Sequence, residues 1–300
     1  MNLAKVVLSE QNSFIELSLA SPNIIYNIKR ATKYYPNIVL TDVPLTVTTY
    51  NEYETFVTNL LLQVQPFQNT YIFNDLYISN ILANINKYTN LKGIYITTYG
   101  VCIKEKANLE NLFHYYINTE KLKSMIPDSM ELVVETDSAC EYIEGISNTF
   151  GSELWLLDFL FQCSKGNATT VVIKTENKNN KYPYVIFRDF SEGRLYPIKY
   201  NTKKNINCYG VRDYKNYYIV VINKDVSVDK ININVSLDIT NSGALYEFSC
   251  NQTILGQEGI TYDKTKIIDS SNGTYTFEMG MMRACVLVVP FTSGGAFFEN

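Results

Sequence analysis

Short apolar runs alternate with helix-like segments over the first 175 or so residues. Apolar runs that predict strands cover residues 3–8, 37–40, 70–73, 93–97, 132–135 and 169–173. Between them, apolar residues recur at helical spacing, for example Phe56, Leu60 and Val64. Strand–helix repetition of this kind predicts parallel βαβ units. The continuous apolar character of the runs predicts strands that are covered on both faces.

The number of these units predicts an incomplete barrel. A closed (β/α)8 TIM-type barrel needs about 250 residues, and only about 175 show the repeating pattern here. We therefore expect an α/β domain over residues 1–180, an incomplete barrel of about six strands that lacks the first two βα units.

The pattern changes after residue 180. Apolar and β-branched runs separated by Asp-, Asn- and Gly-containing turns cover residues 208–212, 217–223, 231–237, 244–249, 275–279 and 283–289. This rhythm is typical of an antiparallel β-sandwich, which we expect over residues 181–300.

Composition narrows the classes of partner. Hydrophobic residues make up 46% of the chain, the net charge is −4, and no run rich in Lys or Arg occurs. We therefore expect neither a nucleic-acid partner nor an anionic membrane surface. No apolar stretch reaches the ~18 residues of a membrane span, and residues 1–9 do not resemble a secretory signal.

The cysteines and the histidine do not predict a metal site. The chain has one histidine and six scattered cysteines without a C-x-x-C pair, so we expect no metal and no cofactor. We expect isolated buried thiols at the cysteines, which are Cys102, Cys140, Cys163, Cys208, Cys250 and Cys285.

Glu135 ends a predicted buried strand immediately before a long helix. In a barrel, side chains at the carboxyl ends of the strands face the active site. A carboxylate there is able to attack the anomeric carbon of a sugar. Taken alone, an acidic residue after a strand is more often a solvated loop residue.

The surrounding segment favours the catalytic interpretation. Glu135-Thr136-Asp137-Ser138, then residues 145–150 (GISNTF) and 154–161 (LWLLDFLF), resemble the nucleophile strand and following helix of family 79 glycoside hydrolases, the heparanases and β-glucuronidases. The resemblance continues upstream at residues 96–99 and downstream at residues 193–197, 209–212 and 220–225.

This resemblance implies a retaining mechanism, with Glu135 as nucleophile and a second glutamate as acid/base about 5–5.5 Å away. It implies that Tyr99 hydrogen-bonds the nucleophile and that Tyr99 and Asp137 bind substrate. Asp137, which replaces an asparagine, places a second carboxylate near Glu135. The implied partner is a glucuronide-containing glycan or another carbohydrate. The implied location is secretory, extracellular or lysosomal, although no signal peptide is visible.

The acid/base position departs from the family pattern. The family's Asn-Glu-Pro motif aligns with Asp42-Val43-Pro44, and valine cannot donate a proton. Asp42 is a weak substitute, because neighbouring strand residues point to opposite faces. Glu52 is an equally weak one, because it enters a predicted helix and lacks the proline.

Other positions also differ from the family pattern. Thr97 replaces a family histidine, and residues 172–175 (VIKT) replace a run like Asn-Phe-His-Gly. We expect a structural or surface role for His114 and a core position for Trp155.

Three hypotheses follow. The first is a retaining β-glycosidase that uses Glu135, and the second is a non-catalytic carbohydrate-binding or interaction module that keeps the fold. The third is a fragment that assembles with a second chain, since an open barrel leaves two edges for pairing. The replacement at Val43 favours impaired or lost catalysis.

Overall fold

The computed structural model describes residues 2–8, 14–44, 46–63, 70–73, 77–88, 91–102, 108–115, 118–174, 181–190, 192–202, 205–227, 230–250 and 260–291. Two sheets of different type follow each other along this chain. The first sheet ends at Ile173 and the second begins at Arg194. The expected boundary at residue 180 falls between these two positions.

The first sheet has seven parallel strands in the order β1-β7-β6-β5-β4-β3-β2. Their bounds are β1 Lys5–Leu8, β2 Phe14–Ser18, β3 Asn37–Thr41, β4 Thr70–Ile72, β5 Gly93–Val101, β6 Glu131–Ala139 and β7 Thr170–Ile173. The described residues contain no pairing between β1 and β2, so the sheet is a partly closed barrel. The predicted incomplete barrel is confirmed.

The strand count and the place of the first strand differ from the prediction. Residues 14–18 (FIELS) form a strand that the apolar runs did not indicate, because Glu16 interrupts them. The first apolar run forms β1, which pairs with β7. The prediction that the first two βα units are absent had made this run the start of the third unit. The sheet therefore has seven strands rather than six.

Helices cover the outer face of this sheet. They are α1 Ile24–Ala31, α2 Tyr50–Gln63, α3 Ile78–Ala83, a 3-10 helix Ile85–Lys87, α4 Leu109–Phe113, α5 Thr119–Ser124, α6 Phe150–Lys165 and α7 Lys181–Arg188. Helix α6 begins at a capping residue, since the Thr149 hydroxyl accepts a hydrogen bond from the Ser152 amide at 3.2 Å. Trp155 of α6 is 1% exposed, as predicted for a core residue.

The inner face of the sheet carries its own small apolar cluster. Its buried members are Val39, Tyr71, Tyr95, Val133 and Val172. Strand side chains alternate between faces, so Glu135 and Lys174 lie on this inner face two residues beyond Val133 and Val172. Because β6 and β7 are neighbours in which Glu135 aligns with Val172, the two charged side chains meet at the same end of the sheet.

The second part is an antiparallel sandwich, as predicted. A six-stranded sheet in the order β13-β12-β15-β10-β9-β8 packs on the pair β11-β14. The bounds are β8 Arg194–Tyr196, β9 Ile206–Arg212, β10 Asn216–Asn223, β11 Lys230–Ser236, β12 Gly243–Cys250, β13 Ile260–Ile268, β14 Thr274–Gly280 and β15 Arg283–Pro290.

A buried ion pair joins the two parts. Lys224 Nζ, just after β10, lies 2.6 Å from Asp158 Oδ2 of α6, and their side chains are 0% and 1% exposed. The Tyr209 hydroxyl and the Asn207 amide of β9 also donate to this carboxylate. The helix that follows the Glu135 strand is therefore fixed to the sandwich.

Candidate active site

A cleft of about 910 Å³ opens at the carboxyl ends of β5, β6 and β7. Its walls come from Glu16, Phe73, residues 97–102, Asn111, His114, Tyr115, Glu135, Cys140 and Lys174. We refer to it as the barrel cleft. Glu135 lies at the end of the sheet where active sites of barrel enzymes are found.

Glu135 is buried and held from two sides. The residue is 6% exposed, and the Tyr95 hydroxyl donates a hydrogen bond to Oε2. Lys174 Nζ lies 3.0 Å from the other oxygen, Oε1. The carboxylate of Glu135 thus has a phenol on one oxygen and an ammonium group on the other.

Lys174 is fixed in turn by Tyr99. Its ammonium group donates to the Tyr99 hydroxyl at 2.7 Å. Burial lowers the pKa of Lys174, but the hydrogen bonds to Tyr99 and Glu135 and the charge of Glu135 outweigh it, so the pKa is raised. Lys174 therefore stays charged at neutral pH, and it neutralises Glu135.

Glu16 is a second carboxyl group of the cleft that the sequence interpretation missed. It lies on the edge strand β2 and is solvent-exposed as a residue. Partial burial of its carboxyl group raises the pKa of Glu16, and repulsion by Glu135 and Asp42 adds to this against the opposing attraction of Lys174. The sequence signal that could have revealed this strand is the alternation of Ile15 and Leu17 with Glu16 and Ser18.

The two expected substitutes for the acid differ in their positions. Asp42 follows β3 with a positive φ of 62° and is exposed at the barrel mouth. Glu52 caps α2, where its Oε2 accepts hydrogen bonds from the Thr48 amide at 2.8 Å and the Thr49 amide at 3.1 Å. Hydrogen bonds from Thr48 and Thr49 lower the pKa of Glu52, which suits a capping carboxylate rather than an acid.

The other expected site residues are near Glu135 but have different partners. Val43, at the position where the resemblance implied an acid, is partly buried and packs against the core. Tyr99 contacts Lys174, while Tyr95 hydrogen-bonds Glu135. Asp137 is buried two residues beyond Glu135 on β6, and its Oδ1 accepts hydrogen bonds from the Ser138 amide at 2.5 Å and the Ser138 hydroxyl at 3.1 Å.

A disulfide bond forms part of the cleft rim, so the expectation of isolated thiols is wrong for two cysteines. Cys102 and Cys140 are bonded, and each directly follows its strand, β5 or β6. The register pairs the preceding residues, Val101 and Ala139, which brings the two cysteines side by side. Cys163 and Cys285 are buried free thiols. His114 is exposed on the cleft wall, with Nδ1 2.7 Å from the Glu110 carbonyl oxygen.

Within the described part of the chain, no group of three or more His, Cys, Asp or Glu side chains is placed to hold a metal ion. No described helix is long and apolar enough to cross a membrane.

The cleft contains a carboxylate that is already paired, together with groups that bind sugars. A retaining site uses a carboxylate nucleophile and a protonated acid that flank the bond to be broken. Here an ammonium group neutralises the nucleophile candidate, and it would repel the positive charge that develops on the sugar. The cleft nevertheless keeps tyrosine, threonine and carboxyl groups that are able to hydrogen-bond sugar hydroxyls.

Solved structures with the same fold are glycoside hydrolases. A 4-O-α-L-rhamnosyl-β-D-glucuronidase from Fusarium oxysporum 12S has a TM-score of 0.58 and 11% identity, over 95% of this chain and 88% of that one. A family 51 arabinofuranosidase from Xanthomonas axonopodis pv. citri has a TM-score of 0.58 and 10% identity, over 90% and 70%. A family 44 xyloglucanase from Paenibacillus polymyxa has a TM-score of 0.56 and 12% identity, over 89% and 60%.

These similarities establish the fold. No protein-family profile matches the chain, and no curated protein matches it in sequence. The chain therefore has a glycoside hydrolase-type fold, a partial barrel followed by a β-sandwich. Glu135 lines the barrel cleft, but it lies within β6 and not, as the sequence had predicted, at the end of that strand.

Proposed function

We propose that this protein is a glycosidase-derived carbohydrate-binding protein, related to the retaining β-glucuronidases and heparanases, with impaired hydrolysis. The ion pair between Lys174 and Glu135 is the observation that carries this proposal. An ammonium group 3.0 Å from the carboxylate opposes the positive charge that develops on the sugar in a retaining mechanism, and so it weakens the stabilisation that Glu135 supplies. Val43 at the family's acid position supports the same conclusion.

The choice of sugar depends on the charges in the cleft. The resemblance around Glu135 favours a β-glucuronide, and one structural neighbour is a glucuronidase by name. The described wall instead combines two carboxyl groups, Glu16 and Glu135, with the ammonium group of Lys174, which is already paired. This charge balance favours a neutral sugar in the unmodified protein.

A matched pair of ligands tests both parts of the proposal. Methyl β-D-xyloside and methyl β-D-glucuronide differ by the carboxylate on C5, and saturation-transfer NMR reports the binding of each. We expect the wild type to bind the xyloside more tightly. Glu135→Gln frees Lys174 and removes a negative charge, so it should tighten glucuronide binding by about tenfold, or ~1.4 kcal/mol. Glu141→Gln, an exposed site outside the cleft lining, is the control and should change neither affinity.

Two results would contradict the proposal, each in a different part. If neither the wild type nor Glu135→Gln binds either sugar, the carbohydrate-binding function is wrong. If the wild type releases 4-nitrophenol from a 4-nitrophenyl β-glycoside more than about 100-fold faster than Glu135→Gln does, the impairment of hydrolysis is wrong.

A second candidate function is assembly with another chain that completes the barrel. Its support is the strand order, in which β1 and β2 stand at the two ends of the seven-stranded sheet. Exposed strand edges favour pairing with a further strand. Light scattering on the purified protein tests this candidate, which predicts association through the barrel, while a stable monomer at high concentration would contradict it.

A further inference from the structure

A second groove lies where helices α5 and α6 meet strands β8 and β9. It has a volume of about 660 Å³, within the range of about 300–1,000 Å³ that is usual for small-molecule sites. We call it the seam groove. It is lined by Asn118, Glu120, Gln162, Lys165, residues 195–198, Tyr200 and residues 207–210, none of which lines the barrel cleft.

Two exposed tyrosines form one wall of the seam groove. Tyr196 is 46% exposed and Tyr200 is 52% exposed. The Tyr196 ring is held edge-on by Tyr217 at 5.9 Å between centroids, and the Tyr200 hydroxyl donates to Asn207 Oδ1 at 3.4 Å. Oriented aromatic rings at the surface present a flat apolar face with a polar tip, which matches the apolar face and hydroxyl rim of a sugar ring.

Amide side chains form the polar part of the groove, and buried groups orient them. The Gln162 amide donates to Asp158 Oδ2 at 2.8 Å, and the Asn207 amide donates to both oxygens of the same carboxylate at 3.0 and 2.8 Å. Asp158 is itself fixed by the fully buried Lys224. The two amides are therefore pre-organised, which reduces the entropy cost of ligand binding.

The charges at the rim of the groove cancel each other. Lys165 Nζ lies 3.4 Å from Glu120 Oε1, with side chains 64% and 61% exposed. The described lining contains no other Asp, Glu, Lys or Arg side chain. A groove with aromatic walls, oriented amides and no net charge favours a neutral polar ligand over an ionic one.

We propose that the seam groove is a second carbohydrate site, which binds a neutral oligosaccharide through Tyr196, Tyr200, Asn207 and Gln162. This site goes beyond the proposed function of the barrel cleft, and it stands on a separate set of residues. A protein with both sites would hold a long glycan at two places.

Isothermal titration of the full chain with xylohexaose and with cellohexaose tests this proposal. We expect the wild type to bind at least one of these hexaoses, and Tyr196→Ala and Tyr200→Ala each to weaken that binding by tenfold or more. Tyr34→Ala, at a tyrosine that is 74% exposed and outside the groove lining, is the matched control and should bind as the wild type does. Glu135→Gln should leave the seam-groove affinity unchanged, which separates the two sites.

Three results would overturn the proposal. The first is a wild type that binds neither hexaose, and the second is equal binding by the Tyr196→Ala, Tyr200→Ala and Tyr34→Ala variants. The third is concentration-dependent dimerisation that Tyr196→Ala abolishes, because it would assign the groove to a second copy of the chain. Circular dichroism and thermal melting of each variant confirm that a loss of binding is not a loss of folding.

Discussion

Replacement of Lys174 by methionine should expose hydrolytic activity that the ion pair suppresses. The ammonium group lies 3.0 Å from Glu135 Oε1. Methionine keeps most of the side chain's length and apolar volume but removes the charge. Glu135 then keeps its hydrogen bond from Tyr95 and no longer has an ammonium group beside its other oxygen.

The size of the effect follows from the repulsion of a positive transition state. An anomeric carbon in contact with Glu135 would lie about 4.5 Å from the ammonium nitrogen and carry about half a positive charge. With an effective dielectric constant of about 20, this repulsion is roughly 2 kcal/mol, or about a 20-fold change in rate. Lys174 is one-third exposed, so solvent screening makes this figure an upper value.

The assay is the release of 4-nitrophenol from 4-nitrophenyl β-D-xyloside. This leaving group needs little protonation, so the rate does not depend on an acid/base residue. Lys174→Arg keeps the charge and should stay as slow as the wild type. Lys92→Met removes a surface lysine that pairs with Glu131 and should have no effect.

A double variant identifies the source of any gain. Lys174→Met with Glu135→Gln should return to the wild-type rate, because the carboxylate nucleophile is gone. A Lys174→Met rate equal to or below that of the wild type would refute the idea that the ion pair suppresses Glu135.

Three further predictions concern stability. Lys224→Met leaves its buried carboxylate partner without its counter-charge and should lower the free energy of unfolding in urea by about 3 kcal/mol; Lys230→Met, at an exposed ion pair, should cost less than ~0.5 kcal/mol. Replacing Cys102 and Cys140 by serine removes a cross-link between residues 38 positions apart in the sequence. It should lower the free energy of unfolding in urea by about 3–4 kcal/mol, and an unchanged free energy would contradict the presence of the disulfide bond. Burial raises the pKa of Glu153 to about 8 from 4.5, so the stability of the protein is highest below pH 4.5, where the carboxyl group is protonated, and falls as the pH rises towards 8. Glu153→Gln should therefore stabilise the protein at pH 8 by roughly 2–4 kcal/mol and have little effect at pH 4.5. Equal changes in melting temperature at the two pH values would contradict this prediction.

Strands with continuous apolar runs were predictable, whereas two edge strands that expose charged side chains, β2 and β13, were not. The runs that became β3 to β7 are covered on both faces, so each reads as an apolar segment. The edge strand β2 exposes Glu16, and the edge strand β13 exposes Asp263, Lys264 and Lys266, so both lack that signal. Helix α7 was missed because Pro183 interrupts its pattern, although proline is tolerated in the first turn.

The strand that carries Glu135 was predictable, but the end of that strand and the partners of Glu135 were not. The apolar run ended at Glu135, whereas β6 continues for four more residues to Ala139, because its last residues are mostly polar. The contact with Lys174 depends on the register of β6 against β7, which aligns Glu135 with Val172. The disulfide between Cys102 and Cys140 depends in the same way on the register of β5 against β6. Local patterns do not encode such cross-strand registers.

We propose that Glu135 stands in a nucleophile position and that Lys174 keeps it inactive. Intact-mass spectrometry after incubation with 2-deoxy-2-fluoro-β-D-xylosyl fluoride tests this directly, because Glu135 would displace fluoride and keep the sugar. We predict an unchanged mass for the wild type and one added fluoroxylosyl group on Glu135 for Lys174→Met. Labelling of the wild type at Glu135, or labelling of Lys174→Met at another residue or at none, would contradict the account.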